Sequence, residues 1–134
     1  MLRRVLLGLV WLGLVLGCGP CDYRMRWSDG DFLVYEIDTA DARRLGYAVD
    51  AYGSRGMVGP TVVAVGSDER WIVVETVDRD SGGRGFYVVD KQVEARFSNE
   101  GVAGPYEREA FLRRVEAEGL PDFEVRYREP SGRR

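Results

Sequence analysis

Few residues in this chain have types and spacings that could do chemistry. Cys18 and Cys21 stand at C-x-x-C spacing, near enough to exchange thiol for disulfide once one sulfur is deprotonated. Asp78, Asp80 and Gly83 repeat positions 1, 3 and 6 of a calcium-binding loop, in which carboxylates converge around a sharp turn. Positions 5 and 12 of such a loop would be Gly82 and Val89, which bring no side-chain oxygen. A solvated hairpin tip accounts for the pattern, and no metal site is expected. Gly82-Gly83-Arg84-Gly85 has the glycines of a phosphate cradle but lacks the Lys-Ser/Thr that completes one, and a strand-like run follows it. Among the acids, Glu75 lies inside an apolar run and Asp90 ends another. Burial there would raise a carboxyl pKa and suit it to hydrolytic acid–base work, although a strand-end turn or a solvent-facing position is the plainer role of each. The chain has no histidine. That excludes Ser-His-Asp and Cys-His pairs, histidine metal ligands and imidazole acid–base catalysis. The expectation is a chain that is not an enzyme, with no catalytic residue and no cofactor.

The N-terminus carries the strongest signal. Arg3 and Arg4 precede Val5 to Leu16, an apolar core without a charge. As a helix, that core spans about 18 Å at about 1.5 Å per residue, short of the roughly 20 residues that cross a bilayer. It reads as an export signal. Its end, Val15-Leu16-Gly17-Cys18, resembles the lipobox of bacterial lipoprotein precursors, in which cleavage after Gly17 would leave Cys18 as a diacylglyceryl-modified N-terminus. Leu16 departs from the usual small residue. An ordinary secretory signal, or an uncleaved anchor, is the other reading of the segment. Cys18-Gly19-Pro20-Cys21 also resembles the redox motif of thioredoxin-like proteins, and an exported thiol oxidoreductase using both cysteines is the alternative function. That motif belongs at the start of a helix following a strand within a βαβ unit. No such alternation follows here, and a lipidated Cys18 would have its sulfur locked in a thioether.

Removing 17 of the 134 residues, including both signal arginines, leaves 117 residues, with 17 basic against 22 acidic side chains and a formal charge of −5. A chain so balanced offers no basic footprint for nucleic acid. Lys91 is the single lysine.

The segments divide as a signal over 1–17, a lipid-anchored tether over 18–30 and one small β-rich domain over 31–134. Runs at 32–37, 44–49, 61–65, 71–77 and 86–89 are rich in β-branched and aromatic residues and are separated by Asp, Ser and Gly clusters. The runs at 71–77 and 86–89 are apolar on both faces and predict central strands, whereas 91–97 predicts an edge. Pro105, Gly119 and Pro121 bracket one helix, with Phe111, Leu112 and Val115 on its buried face and Glu109 and Arg113 paired across one turn. Residues 123–128 alternate as a half-buried closing strand, and 129–134 form a tail. The fold class is α+β, mainly β: an antiparallel meander of about five to seven strands with one covering helix and a closing strand.

Two further stretches join the lipobox in a resemblance. The order Val65-Gly66-Ser67-Asp68-Glu69-Arg70-Trp71-Ile72-Val73-Val74, then Phe86-Tyr87-Val88-Val89-Asp90, then Gly104-Pro105-Tyr106-Glu107-Arg108-Glu109-Ala110-Phe111 resembles a group of small bacterial lipoproteins of unknown function. The resemblance implies a fold and a location and brings no catalytic residue. The chain departs from it in the 78–85 loop and in the glycine-rich stretch from Gly53 to Gly59. The expected role is a cell-envelope lipoprotein, held to the membrane by lipid at Cys18 and working as a binding or assembly module for an envelope protein. Gly19, in place of Asp after the cysteine, points to the outer membrane of an organism that has one. Trp27, Tyr47, Tyr52 and Tyr106 lie in or beside loops and are the candidate recognition surface.

Overall fold

The computed structural model describes residues 23–51 and 53–130. The expected signal over 1–17, Cys18, Cys21, Tyr52 and residues 131–134 lie outside the described residues. Nine strands and one helix follow in order: β1 (Tyr23–Asp29), β2 (Phe32–Ile37), β3 (Thr39–Asp50), β4 (Gly53–Val58), β5 (Val62–Ser67), β6 (Trp71–Val77), β7 (Arg84–Asp90), β8 (Val102–Tyr106), α1 (Arg108–Glu118) and β9 (Val125–Arg126). The class is as expected, mainly β with one helix. The single meander is instead two antiparallel sheets, β1-β2-β3-β4 and β8-β7-β6-β5-β9.

Each sheet turns one face to a shared core. Phe32, Val34, Leu45 and Val58 of the first sheet meet Val62, Ile72, Val74 and Val89 of the second, all buried. Every such side chain taken out of water contributes about 1.5–3 kcal/mol. On β6 the alternation sends Ile72 and Val74 inward and Val73 to the far face, where Phe86, Val88, Phe111 and Leu120 form a second core under the helix. The apolar runs of β6 and β7 thus fill both sides of one sheet, as central strands do.

Several elements differ from expectation for identifiable reasons. The part of the expected tether that is described, Tyr23–Asp29, is the strand β1, paired with β2 from Tyr23↔Ile37 to Asp29↔Phe32. Apolar residues and arginines alternate along it, Tyr23-Arg24-Met25-Arg26-Trp27, a period of two that the tether expectation passed over. The glycine-rich stretch after Gly53 is strand β4, with Gly56 opposite Gly46. A Cβ on Gly46 would lie 2.6 Å from the Arg55 carbonyl and 2.7 Å from the Tyr35 ring; glycine is what lets that ring and strand approach. Residues 91–97 are turns rather than an edge strand, because the Asp90 carboxylate accepts the Gln92 amide and Arg55 donates to the carbonyls of Ala95 and Ser98. The edge beside β7 belongs to β8, with Val102 opposite Val89.

Pro105 sits in that edge strand, where its missing donor is tolerated, and the helix begins three residues later behind Glu107. Gly119 adopts the left-handed conformation (φ 62°, ψ 46°) and its amide bonds the Val115 carbonyl, ending the helix as expected. Phe111 is buried, stacked on Phe86 at 4.8 Å, whereas Leu112 is 53% exposed. The buried stripe is narrower than the spacing suggested because the helix touches the sheet along Phe111, Val115 and the residue past its end, Leu120. Its ion pair joins Arg114 to Glu118 at 2.5 Å. The closing strand is shorter than 123–128, with Arg126 and Val125 opposite Ala64 and Val65 of β5.

Candidate docking surface

The outward face of the first sheet is built by the period-two alternation of β1 and β2. Tyr23 lies directly opposite Ile37 and Met25 opposite Tyr35, so these four side chains share the face turned away from the core. Tyr23 stacks on Tyr35 with ring centroids 5.5 Å apart. Tyr35 lies over the Gly46 and Gly56 backbones and is buried, while Tyr23 is 51%, Met25 62% and Ile37 38% exposed. Next to them Tyr23, Leu33, Ala48 and Ser54 line a concavity of about 290 Å³. Exposed apolar side chains gathered on one face make this the candidate contact surface of the described residues. Sequence reading passed over it because β1 read as tether. The signal was there in the apolar period of two at Tyr23, Met25, Leu33, Tyr35 and Ile37.

The aromatic residues expected to form a recognition surface are placed apart. Trp27 packs against the intersheet core and its indole N–H donates to Glu124 at 3.4 Å. Tyr47 meets Phe32 edge-on at 5.0 Å, and its hydroxyl donates to Asp31 at 3.4 Å. With Phe32, Gln92, Val93 and Phe97 it lines a second concavity of about 380 Å³. Tyr106 packs beneath the helix, and its hydroxyl accepts from Arg114 at 2.6 Å. Tyr52 is outside the described residues. Trp27 and Tyr47 share the rim of one core, and Tyr106 belongs to the other.

The charged residues are occupied in holding elements together. Glu75, buried beside the helix start, accepts from Arg126 at 2.6 Å and pairs with Arg84 at 3.5 Å and Arg108 at 3.8 Å. One carboxylate thereby gathers β7, α1 and β9 around β6. Arg84 also pairs with Glu129. Asp90 pairs with Arg70 at 3.2 Å. Burial pushes the Asp90 carboxyl up, but the Arg70 and Gln92 hydrogen bonds more than offset it, and the net displacement is downward. Asp90 lies at one end of the β6–β7 ladder, opposite Trp71, and Glu75 lies four pairs along it, opposite Phe86. Four residues at about 3.4 Å each set their backbones about 14 Å apart along the strands, wider than the roughly 5–9 Å of a glycosidase pair. Asp78 accepts the amides of Asp80 and Ser81, which hold its carboxyl below the usual aspartate range and use it as a turn brace.

Between the sheets lies a polar clamp. Arg43, 2% exposed, donates to Glu36 at 3.0 Å, to the Val62 carbonyl at 2.6 Å and to the Arg128 carbonyl at 2.7 Å, and stands 4.5 Å over the Tyr127 ring. Arg26 reaches the other Glu36 oxygen at 3.1 Å. Burial pushes the Glu36 carboxyl up, yet the hydrogen bonds and charges of Arg26 and Arg43 bring it net below its ordinary value. This cluster joins β1, β2 and β3 to β5 and the segment after β9. Among the described residues no group of three His, Cys, Asp or Glu could hold a metal ion. No helix of the described residues is long and apolar enough to cross a membrane. The chain matches no protein-family model, no curated protein and no solved structure.

Proposed function

We propose that this chain is a bacterial cell-envelope lipoprotein, anchored by lipid at Cys18 and acting as a non-enzymatic binding or assembly module. The observation that carries the reading is the sequence Val15-Leu16-Gly17-Cys18 directly behind an uncharged apolar core with two leading arginines. Two or more acyl chains hold a protein to a bilayer without help from a basic patch, which suits a processed chain whose formal charge is −5. The paired, structurally engaged carboxylates at Glu75 and Asp90 agree with a binding module better than with an acid–base catalyst.

The test is the intact mass of the membrane-extracted protein beside a Cys18→Ser variant. A chain beginning at Cys18 with diacylglycerol added, and an unprocessed chain in the variant, is the expected result. A soluble chain with both thiols unmodified would sink the reading and make thiol exchange by Cys18 and Cys21 the next assay.

A further inference from the structure

The outward face of the first sheet and the position of Cys18 carry one more step. The sequence reading allowed a tether through residue 30, but β1 begins at Tyr23. Only five residue steps separate Cys18 from the first strand, and even fully extended they span at most about 18 Å. A lipid at Cys18 would therefore hold the start of β1 within about 18 Å of the headgroups.

What β1 presents at that distance suits a bilayer interface. Tyr23, Met25 and Ile37 form a contiguous exposed apolar patch on the outward face. Tyrosine is the side chain that places a ring among acyl chains and a hydroxyl among headgroups. Arg44, exposed, stands opposite Tyr35 in register on the same face. Arginine stems lie along apolar surface while their heads reach phosphate. The helix lies on the far side of the molecule, against β7.

We propose that the outward face of β1 and β2, centred on Tyr23, Met25 and Ile37, rests on the surface of the lipid bilayer that holds the anchor. The proposal rests on the lipoprotein reading. It fixes the orientation of the domain: the first sheet lies down on the membrane, and α1, with the arginines around Glu75, faces away from it.

The experiment uses the processed, lipidated full chain in a Cys21→Ser background, reconstituted into vesicles of phosphatidylethanolamine and phosphatidylglycerol. Nitroxide labels are placed through Met25→Cys, Ile37→Cys and, as a far-side reference, Leu112→Cys; all three positions are exposed, so the fold tolerates them. The expected result is that labels at 25 and 37 are several-fold more accessible to oxygen than to an aqueous nickel chelate, with the opposite preference at 112. Labels at 25 and 37 that behave like the one at 112 would overturn the proposal while leaving the anchor intact. Shielding that grows with the protein-to-lipid ratio would assign the face to a second copy and also overturn it. The intact mass of each preparation separates the two failures: without diacylglycerol on Cys18 the anchoring reading falls, and the proposal falls with it.

Discussion

Each sheet turns one face into the shared core and one face away from it, and the two outward faces are finished by different means. The second sheet's is closed by the chain itself: Phe111 stacks on Phe86 and lies 6.0 Å from Phe123, Leu120 seals the end, and Glu75 gathers three arginines at the helix start. The first sheet's has no helix over it among the described residues. It lays one ring, Tyr35, into the space left by Gly46 and Gly56 and leaves Tyr23, Met25 and Ile37 exposed. A covered face stabilises the fold, because its apolar area has left the water. An open apolar face contributes little to folding and keeps that area for association.

The contrast is broken most strongly at Phe111. Phe111→Ala should cost about 3–5 kcal/mol, read as a fall in the urea midpoint with unchanged slope. A cost near zero would mean the helix does not hold the second sheet.

Gly46→Ala comes next. It puts a methyl group against the Arg55 carbonyl and the Tyr35 ring and should cost about 1–3 kcal/mol as overpacking. It should also expel Tyr35, seen as a changed near-ultraviolet dichroism. The double variant with Tyr35→Ala should recover part of the loss. No recovery would show that the strand contact alone requires glycine.

Acid should separate the two sheets more gently. Asp29 is held below its ordinary value mainly by the hydrogen bond from Lys91, and Glu36 by Arg26 and Arg43 against the push of burial. Depressed carboxyl pKa values give stability that is fully present above the unfolded values and is lost as pH falls through the folded ones. Amide exchange protection in β1 and β2 should therefore decline below about pH 4, near the unfolded carboxyl values, and Glu36→Gln should remove much of that pH dependence. An unchanged pH dependence in that variant would show that the clamp does not act locally.

Met25→Ser should do least. At a side chain so exposed the change in stability should stay within about 0.5 kcal/mol. A larger loss in water would mean that the outward face is part of the fold and not reserved for a partner.

How much of this was legible follows from what each signal measures. The runs at 32–37, 61–65, 71–77 and 86–89 were readable because β-branched and aromatic residues cluster between turn formers, and strands lie there at 32–37, 62–67, 71–77 and 84–90. The left-handed Gly119 was readable because few other residues adopt that conformation cheaply. β4 was not, since a glycine-rich strand takes its identity from the partner that pairs with it, whereas β1 alternates apolar residues with arginines and was passed over as tether. Pro105 misled in the same way: its missing donor suits a helix start and an edge strand equally, and neighbouring β7 selected the strand. Of the candidate surface, Trp27, Tyr47 and Tyr106 were visible as aromatics. Their dispersal around two cores was not, because distance along the chain says nothing about which core a ring joins.

By itself the sequence determined what local chemistry determines: a short uncharged apolar run followed by a cysteine, a chain without imidazole, a β-rich domain and one helix ended by Gly119. The tertiary structure decided what depends on pairing across long separations. It split the strands into two sheets, buried Arg43 between them, turned Glu75 from a candidate acid into the hub of three arginines, and covered one outward face while leaving the other without a helix among the described residues. Periodicity fixes which side chains share a face, but what lies against that face depends on the rest of the chain.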